Sequence, residues 1–205
     1  GLVHGGRSKT NAAVHPAGNR VEATWRARLD EQLGTFVVEP RTLHAARYLS
    51  SSQALYGVAT LAAHLRLLPE RDPHPALFEA ALVLVEHLDD PDLAGPLFVK
   101  VEVALLSELG FGLDLTECAL TGARSDLVWV SPRTGRAVCA EAGEPWRDRL
   151  LALPPFLRED EERAPTTSAD VAAGFRLTER FLREHLYPER MPEDRARFIA
   201  ADLRE

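Results

Sequence analysis

The chain has 205 residues, 45% hydrophobic and 27% charged, an ordinary globular composition that excludes a disordered or fibrous chain and suits one domain or a small module joined to a larger one. Its longest apolar stretches, such as Val101 to Leu106, fall far short of the roughly 20 residues of a bilayer span, so a soluble protein with no membrane partner is expected. Two cysteines are too few for a disulfide framework and point to a reducing cytoplasm. The net charge of −7 argues against a general nucleic-acid binder. The charge is unevenly placed, however. Residues 1–28 carry Arg7, Lys9, Arg20, Arg26 and Arg28 against Glu22 alone, so the rest of the chain is more acidic than the total. A basic end on an acidic body suits local contact with a polyanion; the alternative is a chance asymmetry of solvated surface.

In chain order, Gly1 to Gly6 reads as the end of a strand and Lys9 to Asn19, with Pro16 and Gly18, as a loop. Val21 to Leu29 alternates apolar or small with polar residues at period two, and Thr35 to Glu39 is a second short strand, joined to it by a hairpin loop at Asp30 to Gly34. Three strands alone leave open edges. Together with a first residue that is Gly and not Met, this leads us to expect further strands ahead of the sequence. From about residue 41 the pattern turns helical. Leu55, Val58, Leu61, Leu65 and Leu68 share a face that Pro69 ends, and Pro75 opens a helix with Leu77, Ala81, Leu84 and Leu88 inward. A third helix runs from Pro96 to Leu109 and is capped by Gly110. Leu127 to Val130 and Ala137 to Ala140 flank a turn with Pro132 and Gly135 and predict a small hairpin. Glu159 to Glu162 reads as a solvated loop. Ser168 is a candidate N-cap for a helix carrying Val171, Phe175, Thr178, Leu182 and Leu186. The expected class is α+β, with residues 1–40 as a β module and 41–205 as a larger helical domain holding the hairpin at about 127–140.

Enzyme signatures do not emerge. The sequence contains no phosphate-binding glycine loop, no dinucleotide fingerprint and no nucleophile elbow. Its seven histidines are scattered, and His87 beside Asp89 and Asp90 reads as a helix-end cluster. Cys118 and Cys139 bracket the hairpin where two zinc knuckles belong, but positions 121 and 142 hold Thr and Ala. Structural zinc takes four N or S ligands, so two packed thiols, no metal and no cofactor are expected.

Several segments together are specific: Leu68 to Pro75 (LPERDPHP), Leu109 to Leu115 (LGFGLDL) followed by Thr116-Glu117-Cys118, Val130 to Val138 (VSPRTGRAV), Leu150 to Leu157 (LLALPPFL) and Met191 to Arg195 (MPEDR). They resemble the RecO family of recombination mediators and DNA repair proteins, across essentially the whole chain and most closely in its proteobacterial form. The resemblance implies an N-terminal OB-fold, here begun some thirty residues late, and a helical domain with a zinc-ribbon hairpin, degenerate in this sequence. It implies binding to single- and double-stranded DNA, strand annealing, and action with RecR to help load RecA onto DNA coated by single-strand-binding protein, in the bacterial cytoplasm at the nucleoid. On that basis Arg7, Lys9, Arg20, Trp25, Arg26 and Arg28 are the candidate DNA contacts, with Trp25 either a base-stacking platform or barrel core. Lys100, where relatives carry an arginine or lysine, is the candidate contact for the acidic tail of single-strand-binding protein; the alternative is a surface lysine paired with Glu102 or a residue one turn away. The competing class is a helical scaffold that recognises only proteins.

Overall fold

The computed structural model describes residues 2–3, 13–29, 32–48, 50–158 and 165–203. The alternating pattern at the N-terminus forms a three-stranded sheet of order β1-β3-β2, from β1 (Leu2–Val3), β2 (Arg20–Arg26) and β3 (Thr35–Thr42). β3 pairs antiparallel with β2 and parallel with β1. β3 runs through Thr42, past the expected switch to helix at 41, because Pro40 is accommodated opposite Val21 beside a register shift at Arg20/Val21. Asp30 and Glu31 of the expected turn, and Glu159 to Glu162, lie outside the described residues.

The remaining elements are mostly helical: α1 (Ala45–Tyr48), α2 (Ser52–Leu65), α3 (Pro75–Glu86), α4 (Ala94–Glu108), α5 (Ala140–Gly143), α6 (Ser168–His185) and α7 (Glu193–Asp202). Three short strands, β4 (Leu127–Val130), β5 (Ala137–Cys139) and β6 (Leu151–Ala152), make a second sheet of order β5-β4-β6. The described chain is thus mixed α+β, seven helices with two small sheets.

Local chemistry sets the helix ends. Pro75 sits in the first turn of α3, where its missing N–H costs nothing. α6 is capped by Thr167 rather than Ser168: its hydroxyl accepts from Asp170 N while the Asp170 carboxylate accepts from Thr167 N, a reciprocal pair that satisfies two orphan donors. α4 starts two residues before Pro96, where Ala94 N donates to Asp90 O. α7 is a helix that the hydrophobic pattern does not predict.

The core lies among α2, α3, α4, α6 and α7. Phe98, Phe175 and Phe198 form a ring cluster, with Phe98 and Phe198 centroids 4.7 Å apart, and all three are buried. Truncating any one costs about 3–5 kcal/mol by loss of transfer energy and creation of a cavity. The N-terminal segment is clipped to this body. Asn19 Nδ2 donates to Ala13 O at 2.8 Å and its Oδ1 accepts from Ala45 N at 2.9 Å, while the buried Tyr48 donates to Val85 O.

Candidate nucleic-acid interface

Residues directly opposite across an antiparallel pair share a face, so the register sorts β2 and β3. Ala23 faces Val38 and Trp25 faces Phe36 on one side; Glu22 faces Glu39, Thr24 faces Val37 and Arg26 faces Thr35 on the other. The structure thereby separates the predicted contacts. Arg20 and Arg26 stand on the polar face, Arg28 is exposed just beyond β2, and none of the three forms an ion pair with a described residue. Glu22 is taken up by Arg41 on the same face. Trp25 lies on the opposite, apolar face. Arg7 and Lys9 lie outside the described residues.

Trp25 is neither core nor an open platform. Its ring is half-buried, Nε1 donates to Leu33 O at 3.3 Å, and the Arg71 guanidinium stands 5.5 Å from the ring centroid. Gly34, at φ +62, lies so close beneath that a Cβ there would fall inside the indole, which is why the turn needs glycine. Arg71 is a residue that sequence reasoning misses, because nothing in LPERDPHP announces that its loop reaches the sheet.

On the helical body, Lys100 is exposed on α4 and unpaired among the described residues. It has no pairing with Glu102, contrary to the simpler expectation, because Glu102 points the other way. That carboxylate is 0% exposed and holds a network across four helices. Arg195 Nε and Nη2 donate to it at 2.7 and 3.0 Å, Thr178 Oγ1 donates to Oε2, and His64 Nε2 lies 3.1 Å from Oε1. Burial alone would raise the Glu102 carboxyl; the Arg195 charge and the hydrogen bonds from His64 and Arg195 outweigh it and hold the group at about 2. Beside Lys100, Val99 and Phe156 lie against Gly174 of α6. Two apolar cavities lie elsewhere, on either side of the Ala17–Asn19 clip. One of about 450 Å³ is lined by Leu43, Tyr48 and Leu55, and one of about 310 Å³ by Leu65, Phe78 and Leu82.

The hairpin lobe carries both thiols buried and unbridged. Cys139 N donates to Cys118 Sγ at 3.3 Å, and the Thr121 hydroxyl lies 3.6 Å from Cys139 Sγ. Burial pushes the Cys118 thiol up, but the Thr121 hydroxyl and the N–H groups of Cys139, Leu120 and Thr121 outweigh it and hold the thiol at about 6. The residues do not fit zinc: the two thiols have Thr121 and Ala142 where further ligands belong, and among the described residues no three His, Cys, Asp or Glu side chains converge. No helix among the described residues is long and apolar enough to cross a membrane.

The geometry defines a class: a small sheet with exposed arginines, carried on a helical body whose buried Glu102 and Arg195 pair with each other. The family model described as "Recombination protein O C terminal" matches residues 48–194. The chain is 59% identical over 208 residues to the "DNA repair protein RecO" of Methylorubrum extorquens, covering 98% of this chain and 84% of that one. It is 57% identical over 207 residues to the protein of the same name from a Chelativorans species, covering 100% and 83%, and 57% identical over 190 residues to that of Rhizobium johnstonii, covering 93% and 74%. The chain belongs to the RecO family.

Proposed function

We propose that the chain is a DNA-binding recombination mediator in DNA repair that binds single- and double-stranded DNA, anneals single strands and helps load RecA, with RecR, onto DNA coated by single-strand-binding protein. In this reading residues 1–40 are the C-terminal part of an OB-fold and 41–205 a helical domain with a degenerate zinc-ribbon hairpin, working in the cytoplasm at the nucleoid without a cofactor. The observation that carries it is the arginine face of β2. Arg20, Arg26 and Arg28 are exposed, free of described ion-pair partners, and set on a chain 57–59% identical to DNA repair proteins. Exposed guanidiniums without described ion-pair partners are suited to phosphates, which bind by charge and release counterions. Arg7 and Lys9 extend the same basic segment along the sequence.

The tail of single-strand-binding protein, acidic and ending in an aromatic ring, is assigned to the surface at Lys100. In this reading the Lys100 ammonium meets the carboxylates of the tail.

Salt dependence tests the DNA reading. With three to five phosphate contacts, log K falls against log salt with a slope of about −2 to −4.5. The double variant Arg26→Glu/Arg28→Glu is expected to weaken binding roughly tenfold or more, uniformly across sequences, and to flatten that slope. Unchanged affinity in the variant, with binding to protein partners intact, favours instead the helical interaction scaffold without direct DNA contact.

A further inference from the structure

Cys118 and Cys139 reach each other from two segments of the hairpin lobe. Cys118 opens the turn at 118–122, where Gly122 N donates back to Cys118 O at 2.9 Å, and Cys139 ends β5. Backbone bonds hold the segments side by side: Ala137 N donates to Asp114 O and Ala119 N to Ala137 O, both at 2.8 Å. The side chains then meet. Cys139 N lies 3.3 Å from Cys118 Sγ, so one sulfur touches the backbone of the other cysteine. The Thr121 hydroxyl serves both: it lies 3.6 Å from Cys139 Sγ, and against the burial that pushes the Cys118 thiol up it is the foremost of the groups that hold that thiol at about 6.

This arrangement divides two chemical roles. Cys118 is the sulfur whose negative charge is supported by hydrogen bonds, and a thiolate, not a thiol, is the nucleophile. Cys139 is the neighbouring sulfur that can resolve what Cys118 becomes. Cys118 is 1% and Cys139 8% exposed, a degree of burial that suits a small neutral oxidant and hinders the thiol of another protein.

We propose that Cys118 and Cys139 form a reversible redox site: hydrogen peroxide joins them in a disulfide within the chain, which clasps the 118–122 turn to β5. The Cys118 thiolate attacks one peroxide oxygen; an S–O bond forms, the O–O bond breaks, and the hydroxide that departs takes a solvent proton to become water. The Cys139 sulfur then attacks the Cys118 sulfenic acid; the S–S bond forms, the S–O bond breaks, and the second hydroxide leaves as water with the proton that Cys139 gives up. Two thiols are oxidised and one peroxide is reduced to two waters. Rotation of the Cys139 side chain about χ1 closes the pair. The bond joins the two segments that zinc would hold if its ligands were complete, and it is independent of the DNA reading.

The chain has two cysteines, so intact mass reads the site directly. Reduced protein is treated with a molar excess of hydrogen peroxide at neutral pH and then unfolded in N-ethylmaleimide. Loss of both maleimide additions from the monomer is expected, with both regained after dithiothreitol. Cys139→Ser should stop the reaction at a Cys118 sulfenic acid trapped by dimedone, and Cys118→Ser should leave Cys139 unoxidised. A control in urea separates a built site from two ordinary thiols. The initial rate of thiol loss in the folded chain should change less than about twofold between pH 7 and 8.5, because Cys118 is already ionised, whereas in urea it should rise about tenfold as ordinary thiols ionise. Two maleimide additions that survive peroxide, a disulfide formed only between chains, or oxidation of Cys118 without bridging overturns the site. So does a folded-state rate that climbs with pH as steeply as the unfolded one.

Discussion

Arg26 and Arg195 carry the same guanidinium and are put to opposite uses. Arg26 stands on a sheet whose arginine face is open to water and has no described ion-pair partner. Arg195 is 3% exposed, with Nε and Nη2 on Glu102, Nη1 on Glu179 at 3.3 Å, and Nη2 also on Phe175 O and Thr178 Oγ1. A charge kept in water retains its hydration and is available to a mobile polyanion. A charge removed from water must be matched at once by fixed partners. The first arrangement adds little to stability; the second couples α4, α6 and α7.

Arg195→Met breaks the contrast most sharply. It leaves Glu102 buried without its counter-ion and is expected to cost about 3–5 kcal/mol in denaturant unfolding, with much of the loss recovered when Glu102→Gln is added. Acid titration checks the same pair. Glu102 is held at about 2 against an ordinary 4.5, so its contribution to stability is complete above 4.5 and is lost as pH falls from there toward 2. The acid slope of wild-type stability should be steeper than that of Glu102→Gln across this window. By contrast, Arg26→Glu should leave unfolding stability within about 0.5 kcal/mol, whatever it does to DNA affinity.

Lys100→Glu moves the comparison to the helical body. As an exposed cation, unpaired among the described residues, it should behave like Arg26: tail-peptide binding, measured by anisotropy at moderate salt, is expected to weaken by roughly 1–3 kcal/mol, with melting temperature and bare-DNA affinity unchanged. Equal peptide affinity removes Lys100 from the site. The smallest expected effect is at the hairpin. Protein purified without chelator should carry no stoichiometric zinc, and added chelator should leave its melting temperature unmoved, since the lobe is held by packing of Leu127, Val130 and Val138. Stoichiometric metal that disappears in Cys118→Ser contradicts this.

Local pattern and tertiary context divide the readable from the unreadable. Period-two alternation announces β2 and β3, prolines and glycines mark the ends of α3 and α4, and the RecO segments are legible as family motifs, in keeping with identity over nearly the full chain. The inward face of α2 departs from its pattern: Leu55 is exposed, whereas Gln53, Thr60 and His64 are buried. Hydrophobic periodicity assumes that polar side chains seek water, and these do not because the chain returns partners to them. Gln53 donates to Asp202, 149 residues on, and His64 meets Glu102 and Tyr187. α7 is hidden from periodicity for the same reason, since its buried face includes Arg195 and Asp202.

The sequence by itself determined the elements whose stability is local: alternating strands, proline and glycine boundaries, the absence of zinc ligands at 121 and 142, and a basic N-terminal segment. Tertiary structure alone decided which charges are spent inside and which remain on the surface. Whether a glutamate is buried or a guanidinium covers an indole depends on residues dozens of positions away, and their proximity is fixed only when the helices have packed.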